Sequence, residues 1–307
     1  MTRVAPISIG GRRFAWGERT FVMGIVNVTP DSFSGDGLLA ERLPGSVAEH
    51  PAGDQVSAAV EQARRMVADG ADLLDVGGES TRPGHDPLDA DEEMRRILPV
   101  IGAIHDALPG VTISVDTTKP SVATAALDAG ASLINDVWGV RDDGAMVDLA
   151  AKRSVPIVLM HNRAEPRYDD VVVEVVDDLR RAVERAVDAG VKVEHVIVDP
   201  GIGFGKTADQ NVELLGGLSA LGRLGRPILL GTSRKSTIGR ILDLPPDQRV
   251  EGTIATTALG VAAGVDIVRV HDVRGNVRAA RVADAIIRGT WRTVTEEPPE
   301  RREGGPR

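Results

Sequence analysis

The 307-residue sequence predicts an α/β fold, a closed (β/α)8 TIM barrel with an N-terminal β-hairpin and a disordered C-terminal tail. Three observations carry that expectation. Short apolar, β-branched runs recur eight times along the chain. Between them lie stretches rich in Ala, Leu, Val, Arg and Glu with helical spacing, and glycines close several of these just before the next run. Such alternation implies parallel βα units. Eight repeats favour a closed barrel over an open sheet, which usually has about five or six strands. Continuous apolar runs suit a sheet buried on both faces.

The elements follow in order. Residues 1–20 contain ISIGGRRFAW, a Gly-Gly-centred hairpin expected to close the bottom of the barrel. The barrel itself is expected over 21–289. Its strands fall near 21–27 (FVMGIVN), 72–77 (DLLDVG), 111–116 (VTISVD), 132–137 (SLINDV), 156–160 (PIVLM), 196–199 (VIVD), 227–231 (PILLG) and 266–270 (DIVRV). Val172, Val175, Val176, Leu179, Val183 and Val187 follow the three-four stepping of one buried helix face. Gly70, Gly130, Gly190 and Gly264 sit where helix C-caps belong. Residues 36–54 make a long Gly/Pro-containing connection, a kind of loop that is usually functional or mobile. From Thr290 to 307 the chain is charged and rich in Pro and Gly, and is expected to be a flexible tail.

Composition excludes several classes. With 42% hydrophobic and 26% charged residues the chain reads as a soluble globular protein. It has no cysteine, which rules out disulfides, thiolate metal sites and cysteine nucleophiles, and fits a reducing cytoplasm. A net charge of −9 argues against non-specific nucleic-acid binding, though local clusters decide whether a small anion binds. Met1 to Gly10 lacks the apolar region of a signal peptide, and no apolar run approaches the roughly 18 to 20 residues of a membrane span. Of 36 basic residues only five are lysine, at 119, 152, 192, 206 and 235, so a lysine kept in a loop draws notice.

In barrels of this kind the chemistry sits at the C-terminal ends of the strands. Here those ends are polar all the way round: Asn27; Gly77 to Arg82; Asp116; Asn135 and Asp136; His161 to Arg163; Asp199; Ser233 to Ser236; Arg269, His271 and Asp272. Taken singly, Asp116 and Asp199 are as consistent with helix caps or loop hydrogen-bonders as with ligand contacts. Asn135 and Asp136 could form a turn. Arg269 alternates with apolar neighbours inside a strand, so it needs a buried partner, for which a ligand anion is suitable. Arg269 and His271 share one strand face and could grip phosphate oxygens together. His161 reads as structural support, and His50, His85, His105 and His195 as surface residues. Residues 201–207, GIGFGKT, carry Pro200 where a nucleotide P-loop needs glycine. Their glycines suit close backbone approach to a flat ligand instead.

These segments resemble the dihydropteroate synthase family. The motifs MGIVNVTPDSFSGDG (23–37), DVGGESTRPG (75–84), SVDTTKP (114–120), INDVWG (134–139), LMHNR (159–163), DPGIGFGKT (199–207), LLGTSRKSTIG (229–239) and RVHDV (269–273) follow in family order and span roughly residues 20–290. The resemblance implies a cytoplasmic homodimer that joins dihydropterin pyrophosphate to para-aminobenzoate with Mg2+ as cofactor. It implies that Asp116, Asn135, Asp199 and Lys235 hold the pterin, Met160 and Phe204 pack against its ring, and Val137 and Gly231 line the pocket. Asn27, Arg82, Arg269 and His271 would bind pyrophosphate, Asn27 also touching Mg2+. Phe33, Thr81, Arg82, Pro83 and Ser236 would build the para-aminobenzoate site. Asp116, Asp199, Lys235, Arg269 and His271 would form the catalytic set. The first loop departs from the family, reading FSGDG where a compact FSDGG is common, with an apparent insertion up to about Asp54. A catalytically silent homologue and a methyltetrahydrofolate-binding methyltransferase domain are the competing readings. STRPG and SRKS favour the synthase.

Overall fold

Ile7–Ile9 (β1) and Arg12–Phe14 (β2) pair antiparallel, with Ile9 opposite Arg12. The two-residue turn between them, Gly10 and Gly11, has φ of +57° and +81°, the left-handed pair such hairpins require. This comes from a computed structural model, which describes residues 4–28, 52–79, 88–139 and 144–293. Phe33, Thr81, Arg82 and Pro83 lie outside the described residues, as do most of the 36–54 connection and the tail beyond 293. Thr290–Thr293, where the tail is expected to begin, form a short 3-10 turn after the last helix.

Eight parallel strands follow: Phe21–Asn27 (β3), Leu73–Gly77 (β4), Thr112–Asp116 (β5), Leu133–Asp136 (β6), Ile157–Met160 (β7), Val196–Asp199 (β8), Leu229–Gly231 (β9) and Ile267–Val270 (β10). Their order is β8-β7-β6-β5-β4-β3-β10-β9, and a parallel bridge between Val198 and Ile228 joins the two ends. The barrel is therefore closed. Among the described residues the α-helices are Ala52–Ala68 (α1), Ala90–Ala107 (α2), Pro120–Asp128 (α3), Ala145–Arg153 (α4), Val171–Asp188 (α5), Ala208–Gly216 (α6), Ser236–Leu242 (α7), Val250–Ala262 (α8) and Val273–Arg288 (α9). Gly70, Gly130, Gly190 and Gly264 all have φ near +100°, and the next residue's N–H reaches back to the helix, as from Ala71 to Met66 O. This device ends a helix and releases the chain into a strand. In α5 the buried stripe is Val171, Val175, Val176, Leu179, Ala182 and Ala186. Val187, expected on that face from its spacing, is instead exposed.

Strand alternation divides the interior in two. Val22, Leu74, Val76, Ile113, Ile134, Leu159, Val198, Leu230 and Val268 face the helices and form one core. Met23, Leu73, Leu133, Val158, Ile197, Leu229 and Ile267 point into the lumen, where Ile7, Ile9, Phe14, Trp16 and Phe21 cover them from below. The hairpin thus plugs the bottom, as expected from its sequence. Thr112 Oγ donates to Ile9 O at 3.0 Å, and buried Asp72 accepts from Arg12, Arg19 and the Val22 N–H. The lumen below is apolar and filled, so any ligand must enter from the other end.

Candidate active site

Two positions beyond each floor residue, side chains again point into the lumen. There the sequence changes character: Asp75 follows Leu73, Asn135 follows Leu133, Met160 follows Val158, Asp199 follows Ile197, Gly231 follows Leu229 and Arg269 follows Ile267. Register completes the ring. Gly77 lies beside both Asn27 and Asp116, Asp116 beside Asn135, Met160 beside Asp199 and Arg269 beside Gly231.

Arg269 sits at one side of this ring. Its Nε donates to Asp75 Oδ2 and its Nη2 to Asp116 Oδ2, both at 2.6 Å. Two carboxylates of the protein are thus buried partners of its guanidinium. Asn135 Nδ2 donates to the same Asp75 oxygen at 3.0 Å. Asp75 is wholly buried and was not singled out from the sequence, although alternation in LLDVG makes the same argument for it as for Arg269. The second oxygens of Asp75 and Asp116 are buried without a hydrogen-bond partner. Unpaired buried acceptors are costly, and a ligand N–H would satisfy them.

Across the lumen, Asp199 Oδ1 accepts the Gly201 N–H at 2.7 Å. Lys235 donates to the Ile202 carbonyl, and its Nζ stands 4.4 Å from the centre of the Phe204 ring. A side chain at Gly231 would face Asp199, Lys235 and Arg269 together, so the absence of one keeps the pocket open. The structure thus gathers Asp116, Asn135, Met160, Asp199, Phe204, Gly231, Lys235 and Arg269 around one space. Val137 is buried just above Asn135. Asn27 ends β3 and His271 follows the neighbouring β10 at the rim, with Ser233 Oγ 3.0 Å from His271 Nδ1. Ser236 opens α7 at the surface, next to Lys235.

Burial sets the electrostatics. It pushes the Asp116 carboxyl up to about 7; Arg269 opposes this, while Asp75, Glu93 and Asp136 add to it. Burial likewise raises Asp199, against Lys235 and the Gly201 N–H. It lowers Lys235 to about 8, Asp199 pulling it back up and Arg269 reinforcing the fall. Arg269 resists its own desolvation because Asp75 and Asp116 flank it, and it stays charged. The pocket therefore holds fixed charges of both signs in a place poor in water, where each counts for more than at the surface.

Two of the three glycines in GIGFGK pack against protein backbone. Gly201, Gly203 and Gly205 have φ of +67°, +84° and +56°. A Cβ at Gly201 would overlap the His161 carbonyl oxygen, and one at Gly205 the Arg163 backbone. At 201 and 205 the turn lies backbone to backbone on residues 161–163, so the protein itself approaches closely there, whereas a Cβ at Gly203 would stand 3.1 Å from the Lys235 side chain on the pocket side. His161 is buried support, as read from the sequence, whereas His195 is half-buried rather than at the surface.

The profile of the family described as pterin binding enzyme matches residues 23–271. The dihydropteroate synthase of Bacillus subtilis is 50% identical over 270 residues, covering 88% of this chain and 90% of its own. A crystal structure of dihydropteroate synthase from Clostridium difficile, in the presence of pteroic acid, superposes with a TM-score of 0.81 at 48% identity over 90% of this chain and 99% of that one. The Xanthomonas albilineans enzyme with 4-aminobenzoic acid gives 0.82 at 44% identity over 93% and 98%. With its matching barrel, its mouth lined by Asp116, Asn135, Asp199, Lys235 and Arg269, and such identity along most of its length, the chain belongs to the dihydropteroate synthase family of pterin-binding enzymes.

Proposed function

We infer that the protein condenses 6-hydroxymethyl-7,8-dihydropterin pyrophosphate with para-aminobenzoate, giving 7,8-dihydropteroate and pyrophosphate. One observation carries this reading most directly: buried carboxylates in the lumen keep oxygens without a protein donor, opposite a lysine and beside an asparagine. A flat ring with N–H donors, ring nitrogens and a carbonyl meets those needs. Asp116, Asn135 and Asp199 take its donors, Lys235 gives to its acceptors, and Met160, Val137, Phe204 and Gly231 shape the slot. Charged hydrogen bonds of this kind contribute about 1.5–3 kcal/mol each.

In the reaction the bond from the pterin methylene carbon to oxygen breaks and its electron pair leaves with pyrophosphate. The amine nitrogen of para-aminobenzoate forms the new bond and then loses one proton. Positive charge that develops on the methylene spreads into the ring, where Asp116 and Asp199 stabilise it. Such preorganised charge is usually the largest catalytic term. Arg269 keeps Nη1 beyond its two carboxylate contacts, and with His271, Arg82 and Asn27 it holds the departing anion. Phe33, Thr81, Arg82, Pro83 and Ser236 receive para-aminobenzoate.

Mg2+ suits this site. Among the described residues no cluster of three or more His, Asp or Glu side chains could hold a metal, but Asn27 offers a carboxamide oxygen at the mouth. Mg2+ keeps most of its waters and takes few protein ligands, so Asn27 and the substrate's own oxygens suffice. When bound it offsets charge on the leaving pyrophosphate. The protein works as a cytoplasmic homodimer. Among the described residues no helix is long and apolar enough to cross a membrane. Leu259 on α8 and Val282 and Ile286 on α9 are 68%, 61% and 75% exposed, an apolar set that a second copy would cover. Incubation with both substrates and Mg2+ is expected to yield dihydropteroate, identified by mass. Recovery of both substrates unchanged would refute the reading.

A further inference from the structure

Behind the 201–206 turn lies a second group of charged side chains that the reaction above does not use. Lys206 bends back under its own turn. Its Nζ donates to Gly201 O at 3.0 Å and to Phe204 O at 2.9 Å, and lies 3.0 Å from His161 Nδ1. Those contacts engage all three ammonium hydrogens. His161 is fully buried, and its Nε2 stands 3.0 Å from Asp178 Oδ2 on α5. An Nδ1 that accepts from an ammonium leaves the ring proton on Nε2, directed at Asp178. The ring is neutral, since burial lowers it to about 4 despite Asp178. Asp178 is fixed in turn by Arg163, through Nε at 2.9 Å and Nη2 at 2.7 Å, and by Arg181. A continuous chain of hydrogen bonds thus runs from α5 to the turn.

The turn also touches the ligand space. Its Ile202 carbonyl accepts from Lys235, and its Phe204 ring lies beside the Lys235 ammonium. We propose that Lys206 is a positioning residue for the pterin subsite: held by neutral His161 and through it by Asp178, it closes the 201–206 turn and so sets Phe204 and the Ile202 carbonyl against Lys235. This rests on reading that space as the pterin subsite. The Lys206 ammonium is needed as such, because a neutral amine has only two hydrogens for three acceptors. Burial brings Lys206 down to about 7; Asp199 and Asp178 hold it up, and Lys235 and Arg163 push it further down.

Lys206→Met and Lys206→Ala, assayed beside the unmodified protein, test the proposal. Both are expected to raise KM for the pterin substrate by about tenfold or more, a loss in keeping with a charged contact that orients a binding group. KM for para-aminobenzoate should move by less than about threefold on the same grounds. Added propylamine should restore pterin affinity in Lys206→Ala, whereas 1-propanol, of similar size without the charge, should not. A pterin KM within threefold of the original, parallel loss of both substrates, or equal rescue by the alcohol would overturn the proposal. If neither variant folds, Asp178→Asn takes their place: it should raise the pterin KM several-fold and spare para-aminobenzoate, and an unchanged pterin KM would overturn the idea. Failure of the unmodified protein to bind the pterin at all would instead count against the pocket reading beneath it.

Discussion

Arg269 donates to Asp75 and Asp116 at once, so two buried carboxylates share one cation. Each carboxylate keeps one oxygen for a ligand. Asp75 also accepts from Asn135, which ties Arg269 to Asn135 across the mouth. Asp75→Asn should therefore lower kcat/KM for the pterin substrate by at least about tenfold while leaving KM for para-aminobenzoate nearly unchanged, since a charged hydrogen bond is worth about 1.5–3 kcal/mol. Steady-state kinetics with each substrate varied would check this. Asp199→Ala and Lys235→Ala should each weaken pterin binding by roughly ten- to hundredfold on the same scale, with the unfolding transition kept. Calorimetry showing unchanged affinity in both would remove the pocket assignment. The pH dependence follows from two signs. Asp116 is raised to about 7 and bears its charge only above that, while Lys235 is lowered to about 8 and loses its charge beyond it. In the free protein both charges coexist best between those values. Because the Lys206 ammonium is also lost above about 7, a plot of kcat/KM for the pterin substrate against pH should peak at the lower of those values, near 7, and fall on both sides. A flat profile from pH 6 to 9 would contradict this account.

Among the elements, the turn of residues 201–205 and the hairpin turn separate two uses of glycine. Gly11 has φ +81° with open space where a Cβ would go. Gly11→Ala should cost only the left-handed backbone strain, about 1–2 kcal/mol. Gly201 combines φ +67° with backbone contact against His161. Gly201→Ala should cost more than about 3 kcal/mol, because strain and overlap add. Denaturant unfolding of the two variants compares them directly, and equal costs would show that the turn can shift. The strands were legible in the sequence because each is a short, doubly buried apolar run set off by glycine or proline. The polar ring was legible because it breaks those runs at their ends. Asp75 escaped notice because it lies inside its run, where only alternation against Leu73 marks it as facing the lumen. The Lys206, His161 and Asp178 chain joins three separate segments, and no spacing within one segment reports it. The glycines of GIGFGKT were recognised as special, but what they approach depends on where residues 161–163 pass.

For the whole molecule, the same closure that buries the strands creates one polar end. The hairpin occupies the bottom and the apolar floor fills the lumen, so chemistry is confined to the mouth. The outer surface carries the other consequence. Leu259, Val282 and Ile286 stand exposed on two packed helices away from that floor. Leu259→Lys combined with Ile286→Lys should turn a dimer into a monomer in analytical ultracentrifugation, with little loss of monomer stability, as exposed substitutions usually change it by less than about 0.5 kcal/mol. A monomeric unmodified protein would contradict the dimer directly. The most direct test of the account as a whole is pyrophosphate release from 6-hydroxymethyl-7,8-dihydropterin pyrophosphate with Mg2+, followed with and without para-aminobenzoate. Release should depend on the amine and be matched mole for mole by dihydropteroate. Tight pterin binding without amine-dependent release would contradict this and would identify a homologue that keeps the pocket but not the reaction.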